Sequence, residues 1–304
     1  MSPLCESYVS AEGLNQMEPF YPLHVYVCQN CFLVQLEEFV SSEEIFTEYA
    51  YFSSYSDSWL EHAREYTKQI VERLALDGES HVLELASNDG YLLRNFVDME
   101  IPALGVEPAA NVAKAAIDIG VPTVVEFFGR ATAQELVDEH GGFDLVIGNN
   151  VLAQVPDLND FVAGMKIALA PDGVITMEFP HLMRLMEENQ FDTIYHEHFS
   201  YFSLLSTEKI FSAHGLTLYD VERLPTHGGS LRIYARHDED ESKPITDPLI
   251  DLRKEEEQAG FARLDHYLSF GEQVRETKRK LLEFLIQAKR EDKTIAGYGA
   301  PGKG

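Results

Sequence analysis

Short apolar runs alternate with amphipathic stretches along the middle of the chain, from His81 onward. The apolar runs read HVLELA, PALGVEP, PTVVEFF, FDLVIGNN and PDGVITMEFP, and between them apolar residues recur near helical spacing. Such alternation of strand and helix predicts a parallel, doubly wound α/β sheet. Two further β-rich runs, 216–224 and 230–237, flank the turn sequence PTHGG. Five alternating strands followed by this hairpin predict a mostly parallel sheet of seven strands.

The sequences on either side of this region lack the alternation of short apolar runs and amphipathic stretches. Residues 1–56 carry YPLHVYVCQNCFLVQLEEF and the serine- and tyrosine-rich stretch YAYFSSYSDS. In the first part of residues 241–304, before the glycine-rich end, apolar residues recur at helical spacing. This spacing predicts two amphipathic helices or one long interrupted helix. We therefore predict a partial N-terminal module over 1–56, a ligand-binding α/β domain over 57–240 and a helical C-terminal extension over 241–304.

Charge and composition narrow the class of protein. The 304 residues include 51 acidic and 24 basic side chains, and the net charge of -27 argues against a nucleic-acid partner because phosphate binding needs clustered Lys and Arg. No apolar run approaches the roughly 20 residues of a membrane-spanning helix, and the N-terminus lacks a signal-peptide pattern. We expect a cytoplasmic protein with a small-molecule partner and no membrane partner. The oligomeric state stays open.

The stretch VLELASNDGYLL carries the first candidate site. A strand that contains Glu84, a tight turn and a helix start would bring backbone N–H groups to a nucleotide-like ligand. Loops of this kind usually carry several glycines, and here Ala86 and Asn88 occupy two of those positions. Glu107 follows about twenty residues later, where a carboxylate usually holds ribose hydroxyls. The candidate cofactor residues are Glu84, Ala86, Ser87, Asn88, Gly90, Glu107, Pro108, Phe128, Asn149 and Asn150.

The densest cluster of chemistry-bearing side chains is FDTIYHEHFSYFS, residues 191–203. In an extended segment His196 and His198 lie on one side, with Glu197 opposite. Two imidazoles and a carboxylate suit a metal-dependent enzyme, although no third ligand at a recognised spacing accompanies the histidines. One imidazole at the carboxyl edge of the sheet suits a proton transfer instead. A structural role for either histidine is a third alternative, and the residues alone leave all three open.

Six blocks, in this order, carry a resemblance to a known family: YAYFSSYS, LELASNDGYLL, GVEP, FDTIYHEHFSYFS, HGGSLR and IAGYGAPGKG. They resemble the sugar C-methyltransferases that act on nucleotide-linked 4-keto-deoxysugars, and the resemblance runs nearly end to end. It implies a class I methyltransferase-like sheet with S-adenosyl-L-methionine as cofactor and a nucleoside-diphosphate deoxysugar as substrate. It also implies a small zinc-binding N-terminal module and a C-terminal domain that helps to hold the sugar nucleotide.

The resemblance implies a role for several residues of the 191–203 segment. His198 would be the general base, with Tyr195 and Glu197 in the same pocket. A base is what the chemistry needs, because methylation of carbon requires the proton beside a ketone to be removed first. A positioned base contributes roughly 10²- to 10⁴-fold, and donors to the enolate oxygen contribute a similar factor. The expected reaction is methylation of a carbon next to the ketone of a nucleoside-diphosphate 4-keto-6-deoxysugar.

The resemblance also implies substrate contacts elsewhere in the chain. A tyrosine of YAYFSSYS would face the substrate; Tyr49, Tyr51 and Tyr55 are the alternatives, and Tyr55 is our candidate. The other candidate substrate-binding residues are His181, His227, Arg232 and Lys303.

Two departures from the family pattern leave alternatives. The family's zinc module has two Cys-x-x-Cys pairs, whereas this chain has Cys28 and Cys31, with Cys5 in the context of a non-ligand position. Because a structural zinc normally takes four ligands, Cys28 and Cys31 are expected to form a half site at most. The terminal block GYGAPGKG has no following helix, so a nicotinamide oxidoreductase is the least favoured alternative. A chain truncated at both ends is expected, and a cofactor-binding but catalytically incomplete fragment is another alternative.

Overall fold

The computed structural model describes residues 1–5, 9–47 and 49–297. The helices are α1 (Ser42–Phe46), α2 (Asp57–Leu74), α3 (Leu93–Asp98), α4 (Ala110–Asp118), α5 (Arg130–His140), α6 (Leu158–Ala168), α7 (Leu182–Glu187), α8 (Leu204–Ser212), α9 (Asp247–Ala259) and α10 (Leu264–Arg290). The strands are β1 (Val25–Val27), β2 (Val34–Leu36), β3 (Val82–Leu85), β4 (Ala103–Val106), β5 (Thr123–Val124), β6 (Phe143–Asn149), β7 (Leu169–Pro180), β8 (Ser200–Tyr201), β9 (Leu216–Leu224) and β10 (Ser230–His237).

A seven-stranded mixed sheet forms the centre, in the order β5-β4-β3-β6-β7-β10-β9. Strands β3 to β7 pair in parallel, and β10 runs antiparallel to both β7 and β9. The strand order reverses between β3 and β6, and the loops that leave the two strands there diverge to form a crevice at the carboxyl edge. The structure thus confirms the predicted α/β sheet and its C-terminal hairpin.

Both faces of the sheet are covered, because neighbouring residues of one strand enter different apolar layers. Leu145 and Ile147 of β6 belong to one apolar cluster with residues of α2 and α3. Val146, between them, belongs to a second cluster with residues of α5 and α6. All three side chains are fully buried. The nearly continuous apolar runs of the sequence are therefore strands that are buried on two faces.

The N-terminal segment is joined to the central domain through a second, antiparallel sheet in the order β1-β2-β8. Strand β8 belongs to the histidine-rich segment 191–203 and pairs with β2 between Val34 and Tyr201 and between Gln35 and Ser200. The predicted boundary near residue 56 coincides with the start of α2, but the segment before it packs as part of the same structure. This pairing fixes the histidine-rich segment from the N-terminal side.

Helices α9 and α10 form the C-terminal extension that the apolar spacing predicted. Leu249 and Leu252 of α9 are fully buried in the cluster that also contains α5 and α6. Along α10 the buried residue is Tyr267, whose hydroxyl donates a 2.8 Å hydrogen bond to the carbonyl of Phe261. None of the helices in the described ranges combines the length and the apolar character that a membrane crossing requires.

Candidate active site

The loop after β3 turns through residues with left-handed backbone. Ala86, Asn88 and Gly90 have φ angles of 54°, 51° and 75°. A left-handed conformation costs a residue with a Cβ atom about 1–2 kcal/mol, less for asparagine, and it costs glycine little. At Gly90 a Cβ would also come within 3.1 Å of the side chain of Ala116 on α4, so both the φ angle and the packing favour glycine there. The predicted glycine-type turn is therefore present although two of its positions are not glycine.

Glu107, which follows β4, closes this turn. Its Oε2 accepts a 3.0 Å hydrogen bond from the backbone N–H of Asn88, and its Oε1 accepts one of 2.9 Å from Ala109. Burial raises the pKa of Glu107, and the two backbone hydrogen bonds oppose that rise. The carboxylate is thus fixed beside the loop, where an acidic residue was predicted to hold ribose hydroxyls.

Glu84 in β3 is a buried carboxyl group behind the same loop. It is 1% exposed, and no other described residue offers a hydrogen-bond partner to its Oε2. Burial, and then the negative charges of Glu107 and Asp89, raise the pKa of Glu84 well above its ordinary value. The unpaired oxygen of this buried acid, beside the carboxylate that is predicted to hold ribose hydroxyls, fits the site predicted for S-adenosyl-L-methionine, a cationic nucleoside.

A cavity of about 650 Å³ lies along the carboxyl edge of the sheet. That volume is within the roughly 300–1,000 Å³ of small-molecule sites in proteins. Of the predicted site residues, those that line it are Ala86, Asn88, Glu107, Pro108, Phe128, Asn149, Asn150, Tyr195, Glu197, His198 and His227. Glu84, Ser87 and Gly90 are buried in the adjoining strand and loop. One cavity therefore joins the cofactor loop to the histidine-rich segment.

Tyr195 and His198 form a hydrogen-bonded pair on the wall of this cavity. The Tyr195 hydroxyl lies 3.0 Å from Nε2 of His198, and Nδ1 of His198 lies 3.2 Å from the carbonyl oxygen of Thr193. Because a carbonyl oxygen only accepts, Nδ1 is the nitrogen that carries the proton in a neutral ring. Nε2 then has the free electron pair and accepts from Tyr195. The atom able to act as a base is therefore the one that faces the tyrosine hydroxyl.

The environment of Tyr195 keeps its phenol protonated. Burial raises the pKa of Tyr195 strongly, and the nearby carboxylate of Glu197 raises it further. Both effects disfavour a phenolate. Tyr195 is thus a hydrogen-bond donor at neutral pH, and Glu197 lies close enough to it to act electrostatically in the same pocket.

His196 points away from this pair. Its Nε2 lies 3.0 Å from the carbonyl oxygen of Pro22, and its ring meets Tyr21 edge-on at 6.0 Å between centroids. The side chain is buried against the N-terminal segment. His196 and His198 therefore bind different parts of the structure, and this geometry does not support the metal-dependent alternative that would use both.

The three candidate tyrosines are divided by the structure. Tyr49 and Tyr51 line the cavity, with ring centroids 6.3 Å apart. Tyr55, our candidate from the sequence, is 82% exposed, stacks on Phe52 and is not a lining residue. Tyr49 also lies near enough to Tyr195 to contribute to the raised pKa of that phenol. The role predicted for a tyrosine of this block is therefore better assigned to Tyr49 or Tyr51.

Trp59 lines the cavity although the sequence reasoning did not single it out. Ser56 caps helix α2 by accepting a 3.3 Å hydrogen bond from the Trp59 backbone N–H, which fixes the tryptophan in the first turn. The indole ring stacks on His62 and meets His227 edge-on at 5.4 Å. A lone tryptophan just after a capping serine was the available signal. Further lining residues that the sequence did not mark as site residues include Cys5, Glu126 and Gln154.

Arg232, predicted to bind substrate, is part of a buried ion-pair network instead. Its Nη2 donates a 2.7 Å hydrogen bond to Glu178, and its Nη1 donates one of 3.1 Å to Glu222. His62 and Thr226 also contact the Glu178 carboxylate, at 2.9 and 3.0 Å. Arg232 is 2% exposed and does not line the cavity. Its contacts support the loop that carries His227, so its link to the site is indirect.

His181 likewise lies outside the cavity wall. Its Nε2 is 2.7 Å from Oε1 of Glu256, a fully buried carboxyl group on α9. Glu256 also accepts hydrogen bonds from the backbone N–H groups of Leu204 and Leu205 at the start of α8. These contacts join α7, α8 and α9 and give His181 a structural role. The predicted substrate residue Lys303 lies in 298–304, which is outside the described residues. Gly297 is the last residue that the structure describes.

The donor set at Cys28 and Cys31 does not fit a complete zinc site. Within the described ranges no group of three or more His, Cys, Asp or Glu side chains could hold a metal ion. Cys5 lines the cavity near Tyr195. Backbone hydrogen bonds from Cys31 and Asn30 lower the pKa of Cys28, while burial raises that of Cys31. The half zinc site expected at Cys28 and Cys31 therefore stays a prediction.

Comparisons with protein families cover most of the chain. A family described as a methyltransferase domain matches residues 59–221. A family described as a zinc binding domain matches residues 1–46, and one described as the C-methyltransferase C-terminal domain matches residues 225–304. The order of the three matches follows the order of the segments predicted from the sequence.

Known proteins agree with these matches. The C-methyltransferase NovU from Streptomyces niveus is 35% identical over 303 residues, which is 100% of this chain and 72% of that protein. The crystal structure of PH0226 protein from Pyrococcus horikoshii OT3 is similar in fold, with 16% identity and a TM-score of 0.51 over 64% of this chain and 97% of that one. The chain therefore belongs to the S-adenosylmethionine-dependent C-methyltransferase family.

Proposed function

We propose that the protein methylates the carbon next to the ketone of a nucleoside-diphosphate 4-keto-6-deoxysugar, with His198 as the general base. The observation that carries this proposal is the hydrogen-bonded Tyr195–His198 pair, both members of which line the same cavity as the cofactor loop. A methyltransferase acting on an oxygen or nitrogen nucleophile needs no proton removed from carbon. To form an enolate, a ketone needs a base for its carbon-bound proton and a hydrogen-bond donor for its oxygen. The imidazole of His198 can supply the first, and the protonated phenol of Tyr195 the second.

In the proposed step the proton beside the ketone moves to Nε2 of His198. The electron pair of the broken C–H bond shifts toward the carbonyl oxygen and gives an enolate, while the ring becomes an imidazolium. The Nδ1 proton stays on the ring and remains hydrogen-bonded to the Thr193 carbonyl, so the ring does not need to change tautomer or rotate. Once the substrate displaces it from Nε2, the Tyr195 hydroxyl would donate to the enolate oxygen.

S-adenosyl-L-methionine, held at the cofactor loop with Glu107, would supply an electrophilic methyl group to the enolate carbon, and its methyl–sulfur bond would break as the new C–C bond forms. The contribution of this chain would be to hold the two reactants together in one cavity, whose wall contains both Glu107 and His198. The aromatic residues Tyr49, Tyr51 and Trp59 supply apolar faces for the sugar.

The test is methyl transfer from labelled S-adenosyl-L-methionine to a panel of sugar nucleotides. We expect label in 4-keto-6-deoxysugar nucleotides and none in the same sugars with the ketone reduced to an alcohol. Exchange of the sugar's carbon-bound proton with deuterated water, in the presence of S-adenosylhomocysteine, would report enolate formation directly. Transfer to the alcohol as fast as to the ketone would overturn the proposal, because an alcohol cannot form an enolate.

A further inference from the structure

Residues 49–54, which we name the tyrosine strap, connect the N-terminal segment to α2 and carry Tyr49 and Tyr51. Both tyrosines line the cavity, and Tyr49 is near Tyr195. The strap has no helix or strand of its own before the short turn Ser53–Tyr55. Its backbone must therefore be positioned by contacts with other parts of the protein.

Asn88 of the cofactor loop contacts the strap twice. Its Oδ1 accepts a 2.8 Å hydrogen bond from the backbone N–H of Ser53, and its Nδ2 donates one of 3.2 Å to the carbonyl of Tyr51. The bond to Ser53 is buried. The next residue, Asp89, accepts a 3.1 Å hydrogen bond from the N–H of Ser54. The loop that is expected to hold the cofactor thus holds the strap as well.

Asn111 makes a second, independent attachment on helix α4. Its Oδ1 accepts from the backbone N–H of Tyr49 at 3.2 Å, and its Nδ2 donates to the carbonyl of the same residue at 2.8 Å. A reciprocal pair of this kind fixes both the position and the orientation of one peptide unit. Asn111 does not line the cavity, and it follows Glu107 by four residues.

We propose that Asn88 and Asn111 are positioning residues that latch the tyrosine strap to the cofactor-binding domain and so set the wall of the cavity that faces the sugar. This inference rests on the proposed function for the identity of the sugar. The side chains of Asn88 and Asn111 act on the backbone of the strap, through its N–H and carbonyl groups. The cofactor loop and the tyrosine strap are consequently coupled, so that a change in the position of the loop would move the strap.

The proposal accounts for an asparagine where loops of this kind usually have glycine. Glycine at position 88 would adopt the φ of 51° at no steric cost and would keep the backbone N–H on Glu107. It would lack the amide that contacts Tyr51 and Ser53. Asparagine tolerates the left-handed conformation well enough to keep the turn and also to supply the amide that contacts the strap.

Three variants separate the latch from general stability. Asn88→Gly removes the side-chain contacts while preserving the loop conformation, and Asn111→Ala removes the reciprocal pair while favouring helix α4. Lys114→Ala is the matched control, because Lys114 is an exposed residue of α4 whose ion pair is with Asp118 and not with the strap.

Hydrogen–deuterium exchange of the strap amides tests the latch without any sugar. We expect exchange of the amides in residues 49–54 to quicken by roughly 2- to 10-fold in Asn88→Gly and in Asn111→Ala, as the loss of single hydrogen bonds implies. Lys114→Ala should exchange like the original protein. Unchanged exchange in both asparagine variants would overturn the latch, whatever the substrate is.

Steady-state kinetics test what the latch does. We expect the KM for the sugar nucleotide to rise by roughly 2- to 10-fold in each asparagine variant. In Asn111→Ala, whose side chain does not line the cavity, the KM for S-adenosyl-L-methionine should stay within about twofold of the original. Equal rises in both KM values, together with a lower unfolding midpoint, would overturn the positioning role in favour of a general structural one. If the unmodified protein methylates no ketosugar, the proposed function fails, and the exchange result still decides the latch.

Discussion

The hydroxyl of Tyr195 donates to Nε2 of His198, the ring nitrogen left without a proton by the bond from Nδ1 to Thr193. The pair is three residues apart on a short turn in which the N–H of His198 donates to the Tyr195 carbonyl at 3.1 Å. Local backbone therefore sets the distance between the two side chains. Their reactivity depends on the cavity into which this turn projects.

Replacement of His198 by asparagine removes the proposed base while keeping a polar side chain of similar reach. We expect kcat to fall by roughly 10²- to 10⁴-fold with ketosugar substrate, because that is the usual contribution of a positioned base. Cofactor affinity, measured by calorimetry, should not change. His196→Asn is the matched control, since His196 contacts Pro22 outside the pair. A His198→Asn variant with full activity would rule out His198 as the base.

Tyr49→Phe and Tyr55→Phe compare a cavity tyrosine with an exposed one from the same block. We expect Tyr49→Phe to lower kcat/KM for the sugar nucleotide by roughly 10-fold or more, as the loss of a hydrogen bond in a buried site implies. Tyr55→Phe should have no effect, because Tyr55 is 82% exposed. Steady-state assays of the two variants check this, and the reverse ranking would restore the assignment made from the sequence.

The fold was predictable because it depends on patterns that are local in the sequence. Runs such as FDLVIGNN show a strand buried on both faces, and Leu145, Val146 and Ile147 do pack into two different layers. The cofactor-type turn after β3 was harder to predict from the sequence, because Ala86 and Asn88 stand where glycine is usual. Their left-handed φ angles show that the turn has the backbone conformation usual for glycine, although its residues are strained in it.

Parts of the site could be predicted where a motif is continuous. Glu107 and His198 stand in such motifs and both line the cavity, and their roles stay predictions. The contacts of Arg232 could not be predicted, because the partner of its charge, Glu178, comes from a different strand. The choice among tyrosines depends on how 49–54 crosses the cofactor loop, which involves contacts between residues 35 or more positions apart. No spacing rule encodes such contacts.

Glu84→Gln tests the buried acid behind the cofactor loop. Because the folded pKa of Glu84 is raised, the folded state holds a proton that the unfolded state has lost above its ordinary pKa. The stability of the original protein therefore falls as pH rises through this window. Glutamine cannot lose a proton, so its stabilising effect relative to glutamate should grow in urea unfolding as pH rises above the ordinary carboxyl pKa.

The same variant should bind S-adenosyl-L-methionine less tightly. A hydrogen bond to a charged group contributes about 1.5–3 kcal/mol, so calorimetry should show a loss of roughly 10-fold or more. Because the raised pKa keeps Glu84 protonated, we expect a cationic cofactor to displace that proton on binding, and the binding heat should then depend on the buffer. This dependence should disappear with glutamine. Tighter binding by Glu84→Gln would show that the acid opposes the cofactor instead.

Arg232→Met tests whether Arg232 is structural or binds the substrate. Methionine has similar bulk but leaves the buried Glu178 carboxylate without its main charge partner, and breaking such a pair costs about 3–5 kcal/mol. We expect that loss in urea unfolding at neutral pH. Although burial alone would raise the pKa of Glu178, its bonds to His62 and the charge of Arg232 lower it, so the pair stabilises above the ordinary carboxyl pKa.

The stability difference between Arg232→Met and the original protein should accordingly shrink as pH falls and Glu178 gains a proton. Arg223→Met on the neighbouring strand is the control, because its pair with Glu255 is half exposed and should contribute about 1 kcal/mol or less. A stable Arg232→Met protein with a raised KM for the sugar nucleotide would return Arg232 to the substrate-binding residues. Reduced stability with an unchanged KM per folded molecule is the outcome expected, since the guanidinium is enclosed by Glu178, Glu222 and the ring of Tyr66.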